Sequence, residues 1–141
     1  MMYQELKDKQ RKVFEDFPKF FAFNNKELEK GKEHLKVDKN SDLLALGTGA
    51  YIRKTDREKF KAMVKGFRTE LKQNIDADKD GTGFITSMFY YELENHEYSY
   101  SRDPQRAFDA LGLSWADVVN NDNLTNGFEL AKNKVVRNDG E

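Results

Sequence analysis

The chain has 141 residues, 35% of them charged and 38% hydrophobic, with a formal net charge of −1 and no cysteine. That balance excludes a general polyanion binder, and the missing thiols exclude disulfides, cysteine metal sites and a cysteine nucleophile. Eleven Phe and six Tyr still supply enough ring area to fill a core.

The opening MMYQELKDKQRK is charged and has no apolar stretch, so no signal peptide is expected. Tyr3, Leu6, Val13, Phe14 and Phe17 fall near helical spacing and predict a helix over residues 3 to 16, stopped by Pro18. Residues 19 to 23, Lys-Phe-Phe-Ala-Phe, read as an aromatic strand. Asn24 or Asn25 caps a second helix to about Leu35. Two short apolar stretches, Leu43 to Leu46 and Ala50 to Arg53, flank Gly47-Thr48-Gly49 and predict a β-hairpin.

Thr55-Asp56-Arg57-Glu58 has the pattern of a capping box. Behind it Phe60, Met63, Val64, Phe67, Leu71 and Ile75 repeat at three and four, the clearest amphipathic helix in the chain. After a polar, glycine-rich loop over 76 to 83, Ile85, Met88, Phe89 and Leu93 mark another helix. Asp103-Pro104 opens one that ends at Gly112, and Ser114 caps a short one with Trp115, Val118 and Val119. Leu124, Phe128, Ala131 and Val135 mark the last. The expectation is one mostly helical α+β domain over residues 1–136, with a small antiparallel sheet (strand 19–23 plus hairpin 43–53). A loose tail is expected over 137–141. No apolar run approaches the roughly 20 residues of a membrane span, so a soluble, cytoplasmic protein is expected.

Three constellations bear on chemistry. The segment Asp78-Lys79-Asp80-Gly81-Thr82-Gly83-Phe84 resembles an EF-hand calcium loop, with Asp78, Asp80, Thr82 and the Phe84 carbonyl as ligands and Gly83 at the sharp bend. Phe89 stands at position 12, where a bidentate carboxylate belongs. Starting from Asp76 instead puts Gly83 at position 8 and Ser87 at position 12. The alternative is a helix–helix loop whose aspartates cap helix ends.

The second is Tyr90-Tyr91-Glu92-Leu93-Glu94-Asn95-His96-Glu97-Tyr98-Ser99-Tyr100. Glu92 and His96 stand one helical turn apart, the start of a general-base pair for a small enzyme. The only other histidine is His34, and no HExxH is present. The bland reading is a helix end that packs its tyrosines. An interface reading takes Tyr90, Tyr91, Glu94, His96, Tyr98 and Tyr100 as an exposed patch. Third, residues 107 to 119 have the outline of a helix-turn-helix packed around Trp115. Its second helix carries Asp117 and no Lys or Arg, so direct nucleic-acid binding is not expected.

Three segments carry a family resemblance: Phe17-Pro18-Lys19-Phe20-Phe21-Ala22-Phe23, Leu46-Gly47-Thr48-Gly49-Ala50-Tyr51, and Gly83-Phe84-Ile85 through Met88-Phe89-Tyr90-Tyr91-Glu92-Leu93-Glu94-Asn95-His96-Glu97-Tyr98 to Ala110-Leu111-Gly112-Leu113. Over most of residues 3 to 125 the chain resembles a family of short proteins from gut and other Firmicutes-type bacteria, carried on phages, plasmids or conjugative elements. The resemblance implies a mobile-element setting and lends no catalytic residue. It implies a non-enzymatic accessory factor that binds a host or element-encoded protein, such as a CRISPR nuclease of host defence. No cofactor and no membrane partner are expected.

Overall fold

Helix α1 (Tyr3–Asp16) buries Tyr3 and Leu6 and ends ahead of Pro18, whose ring blocks a further helical turn. The computed structural model describes residues 1–139. Strand β1 (Phe20–Phe21) is shorter than the 19–23 expected. Its ladder stops because the Phe23 N–H donates to Glu27 Oε1 (3.0 Å) and Asn24 accepts from the Glu27 N–H (2.8 Å), which turns the chain into helix α2 (Asn25–Leu35). That helix closes on Lys36 in the left-handed region, with the Lys36 and Val37 N–H groups returning to Glu33 and Lys32 carbonyls.

Strands β2 (Leu43–Ala45) and β3 (Ala50–Arg53) form the expected hairpin. Gly47 and Gly49 take φ of 102° and 86° in its turn, a region a Cβ disfavours. The sheet order is β1-β3-β2, antiparallel throughout, with Phe20 opposite Tyr51 and Leu43 opposite Arg53.

The capping box expected at Thr55–Glu58 is absent from helix α3 (Arg57–Ala77); Lys54–Asp56 is a 3-10 turn that leads straight into it. Asp56 is buried and accepts from Arg53 Nε at 2.9 Å, which draws Thr55 into the turn and away from the extended geometry an N-cap needs. The apolar face of α3 forms as read, yet no α3 residue is fully buried. Gly66 sits on the exposed side of α3 with open space where a Cβ would stand. Gly66→Ala is therefore expected to raise stability by about 0.5–1 kcal/mol, read as a higher urea midpoint at unchanged m-value. An unchanged or lower midpoint would contradict it.

Helix α4 (Phe84–Asn95) follows the loop. A short helix α5 (Tyr98–Ser101), not foreseen as a separate element, is flanked by Glu97 and Arg102, both at φ 57°. Helix α6 (Gln105–Leu111) is entered through Asp103, which accepts from the Gln105 N–H, and is closed by Gly112. Helix α7 (Trp115–Val119) carries a true capping box, Ser114 with Asp117. Helix α8 (Asp122–Asp139) completes the chain. Residues 137–139, expected in the tail, continue α8; 140 and 141 lie outside the described residues.

This is a mostly helical α+β protein with a three-stranded sheet, and its contacts gather into two compact units. One comprises Met1–Lys9 and Glu70–Glu141, the other Gln10–Thr69. In the first, α4 and α8 share the largest interface, around Phe89, Phe108 and Phe128. Those three rings meet edge to face at 5.2–5.8 Å. Trp115 rests its edge on Phe108 at 4.8 Å but stays 48% exposed, so it is a lid on that cluster and not the centre of a corner. In the second unit, Phe20, Ala22, Leu35 and Leu43 form the core, with Phe20 stacked on Tyr51 at 5.4 Å. No helix among the described residues is long and apolar enough to cross a membrane.

Candidate functional site

Helix α4 organises the polar chemistry of the first unit. It buries Phe84, Ile85, Met88, Phe89, Glu92 and Leu93. Five of these are apolar. Glu92 is a carboxylate in the core at 2% exposure, which requires partners. The Tyr3 hydroxyl donates to Glu92 Oε1 at 2.7 Å. Lys7 Nζ stands 3.8 Å from the same oxygen, and His96 Nε2 stands 3.4 Å from Oε2. The structure thus brings Glu92 and His96 together and adds Tyr3 and Lys7, which sequence reasoning missed. Their one signal was the spacing Tyr3 to Lys7, a single turn of α1; contacts to α4 nearly ninety positions away leave no local trace.

The cluster works as a clasp. Tyr3, 4% exposed, and Glu92 face each other inside the protein, so the carboxylate is turned to its own chain. Burial first, then the hydrogen bond and the negative charge of Glu92, hold the Tyr3 hydroxyl protonated far above the usual phenol range. The folded state therefore keeps a proton that the unfolded chain releases near pH 10. Stability from this group is complete below pH 10 and declines as pH rises past it, by up to about 1.4 kcal/mol per pH unit. Urea unfolding between pH 9 and 11 should show that decline in the wild type and not in Tyr3→Phe; parallel declines would refute it.

The opposite face of α4 lines an open cleft of about 760 Å³, with Tyr90, Tyr91, Glu94 and Asn95 on the helix and Lys134 of α8 beside them. The size suits a small molecule, but its polar groups are largely engaged. The Tyr90 hydroxyl donates to Glu94 Oε1 (3.0 Å) and accepts from Asn138 Nδ2 (2.9 Å). Lys134 Nζ lies 4.5 Å over the Tyr90 ring, and the Ser87 hydroxyl is held by Phe84 and Tyr3.

The aromatic patch expected from Tyr90 to Tyr100 is not contiguous. Tyr90 and Tyr91 are half-buried at the cleft and Glu94 is exposed. His96 turns to Glu92. Tyr98 is in the core, away from the exposed surface that reading expected. Tyr100 alone stands free at 87% exposure. Helical periodicity separates them, because neighbours in sequence point a hundred degrees apart.

In the acidic loop, Asp78 Oδ1 accepts from the Gly81 N–H, and Oδ2 from those of Gly83 (3.1 Å) and Ile85 (2.9 Å). Asp78 therefore caps α4 from outside the helix. The Thr82 hydroxyl, at 2.7 Å, and then its N–H hold the Asp80 carboxyl below the usual carboxylate range. Asn123 and Asn126 of α8 donate to the Asp78 and Asp80 carbonyls. Phe84 already belongs to α4, and its carbonyl accepts the Ser87 hydroxyl. Asp78, Asp80, Thr82 and Phe84 are thus engaged in building the loop and its junction with α8.

The second unit exposes two neighbouring phenylalanines. Phe21 is 51% and Phe23 75% exposed. They stand two residues apart, on and just beyond edge strand β1. The Phe23 ring covers Gly49, where a Cβ would approach it to 2.4 Å.

These features define a helical α+β protein with an internal polar clasp and an aromatic sheet edge. The chain belongs to a family of unknown function, DUF7659, whose model matches residues 2–134. No curated protein and no solved structure matches it.

Proposed function

We propose that this chain is a non-enzymatic, protein-binding accessory factor that acts through Phe21 and Phe23. The observation that carries the reading is their exposure, 51% and 75%, side by side at a sheet edge. Covering a phenylalanine is worth about 1.5–3 kcal/mol, and contiguous exposed aromatics mark interaction surfaces. The buried position of Glu92 and the internal bonding of the α4 cleft favour binding over chemistry. The likeness in the Phe17–Phe23, Leu46–Tyr51 and Gly83–Leu113 segments supports a cytoplasmic setting on a phage or other mobile element. The partner is then a host or element-encoded protein, with a component of antiviral defence such as a CRISPR nuclease as one such target.

The test is affinity capture from a lysate of the producing bacterium with the wild type and with Phe21→Ser/Phe23→Ser. A protein retained by the wild type and lost with the double variant is the expected result. Identical captures by both folded proteins would overturn the assignment.

A further inference from the structure

We infer that the site at Phe21 and Phe23 takes its partner by strand addition: an extended peptide segment pairs along the open edge of β1. This deepens the protein-binding reading and rests on it. The backbone supplies the argument. The Ala22 N–H donates to the Gly49 carbonyl at 2.9 Å, which makes Ala22 and Gly49, and two residues back Phe20 and Tyr51, the hydrogen-bonded pairs of the β1–β3 ladder. Phe21 then turns both its N–H and its C=O away from β3, to the outer edge. Among the described residues no group pairs with either.

The Phe23 N–H shares that outward direction but is taken by Glu27. The open edge therefore offers one complete donor–acceptor couple, at Phe21, flanked by two exposed phenyl rings. The sequence adds a second argument. Residues 19 to 23 have the composition of a five-residue strand, yet only residues 20 to 22 pair with β3. A strand laid on the outer edge extends β1 to the length its residues favour.

The other edge, β2, lacks this combination: the Leu43 N–H bonds to the Asn40 carbonyl, and Ala45 presents a methyl group. Strand addition fixes the chemistry of the occupant. Main-chain groups bond to Phe21, and apolar side chains at alternate positions of the incoming strand cover Phe21 and Phe23.

The probe is a displayed library of random twelve-residue peptides panned on the full chain. Enriched sequences should alternate apolar and polar residues, and Phe21→Ser/Phe23→Ser should weaken them by about tenfold or more. Two readouts separate strand addition from mere contact. Binding should slow hydrogen exchange at the Phe21 amide by about tenfold or more. N-methylation of an enriched peptide at alternate residues should abolish binding in one phase and spare it in the other.

Peptides that need Phe23 but leave the Phe21 amide exchanging freely would overturn strand addition and leave the protein-binding site standing. Peptides indifferent to both phenylalanines, or no enrichment at all, would overturn both. If the Phe21 amide becomes protected without peptide as concentration rises, with a dimer in sedimentation, the occupant is a second copy and the assignment to a separate partner falls.

Discussion

Glu92→Ala is expected to lower unfolding stability by about 3 kcal/mol, the range for breaking a buried charge cluster at one partner. Three groups lose their carboxylate partner together: the Tyr3 hydroxyl, hydrogen-bonded at 2.7 Å, and the nearby Lys7 and His96. Tyr3 is itself buried, so water does not replace the bond. Lys7 is 42% exposed along its side chain, and its share is correspondingly small. The change also empties core volume beside Met88 and Leu93, both fully buried. Glu92→Gln keeps the shape and an oxygen for Tyr3, and should lose roughly half as much. Urea unfolding at neutral pH measures both. A loss below about 0.5 kcal/mol for the alanine variant would mean that the clasp contributes nothing net.

Gly31→Ala is expected to destabilise by about 2 kcal/mol, an overpacking penalty, although alanine is the better helix former. Gly31 lies within α2, and a Cβ there would stand 2.0 Å from Phe20 Cδ2 and 2.3 Å from two further ring atoms. The ring has no free direction: it is stacked on Tyr51 at 5.4 Å and is 8% exposed. The helix therefore retreats from the sheet or Phe20 leaves the core. Gly66→Ala is the internal control, since the same substitution in α3 meets open space and should stabilise. Opposite signs at the two glycines would identify packing, not propensity, as the cause. Equal signs would contradict the close approach of α2 to Phe20.

Most of the helices were legible because their signals are local. The Ile85, Met88, Phe89, Leu93 spacing and the Leu124, Phe128, Ala131, Val135 spacing each mark residues that are buried. Asn24, Asp103 and Ser114 cap within a few residues of themselves. The box at Thr55 failed because a nearby ion pair, Arg53 with Asp56, set a different turn. Tyr90 to Tyr100 looked like one patch because sequence order hides helical direction, whereas Lys19 to Phe23 read only as a strand, with no sign of which rings face outward.

The α+β class, the positions of most of the helices and of the hairpin, and the absence of thiol chemistry are written in the sequence alone. Each of these follows from periodicity, capping residues or composition. That Glu92 is buried and clasped by Tyr3 and Lys7 emerges from tertiary contacts. The same contacts chose the capping role for Asp78 at the start of α4, and left Phe21 and Phe23 exposed at an open strand edge. Those outcomes depend on which surfaces of distant segments meet, and burial is a property of the pair and not of either residue.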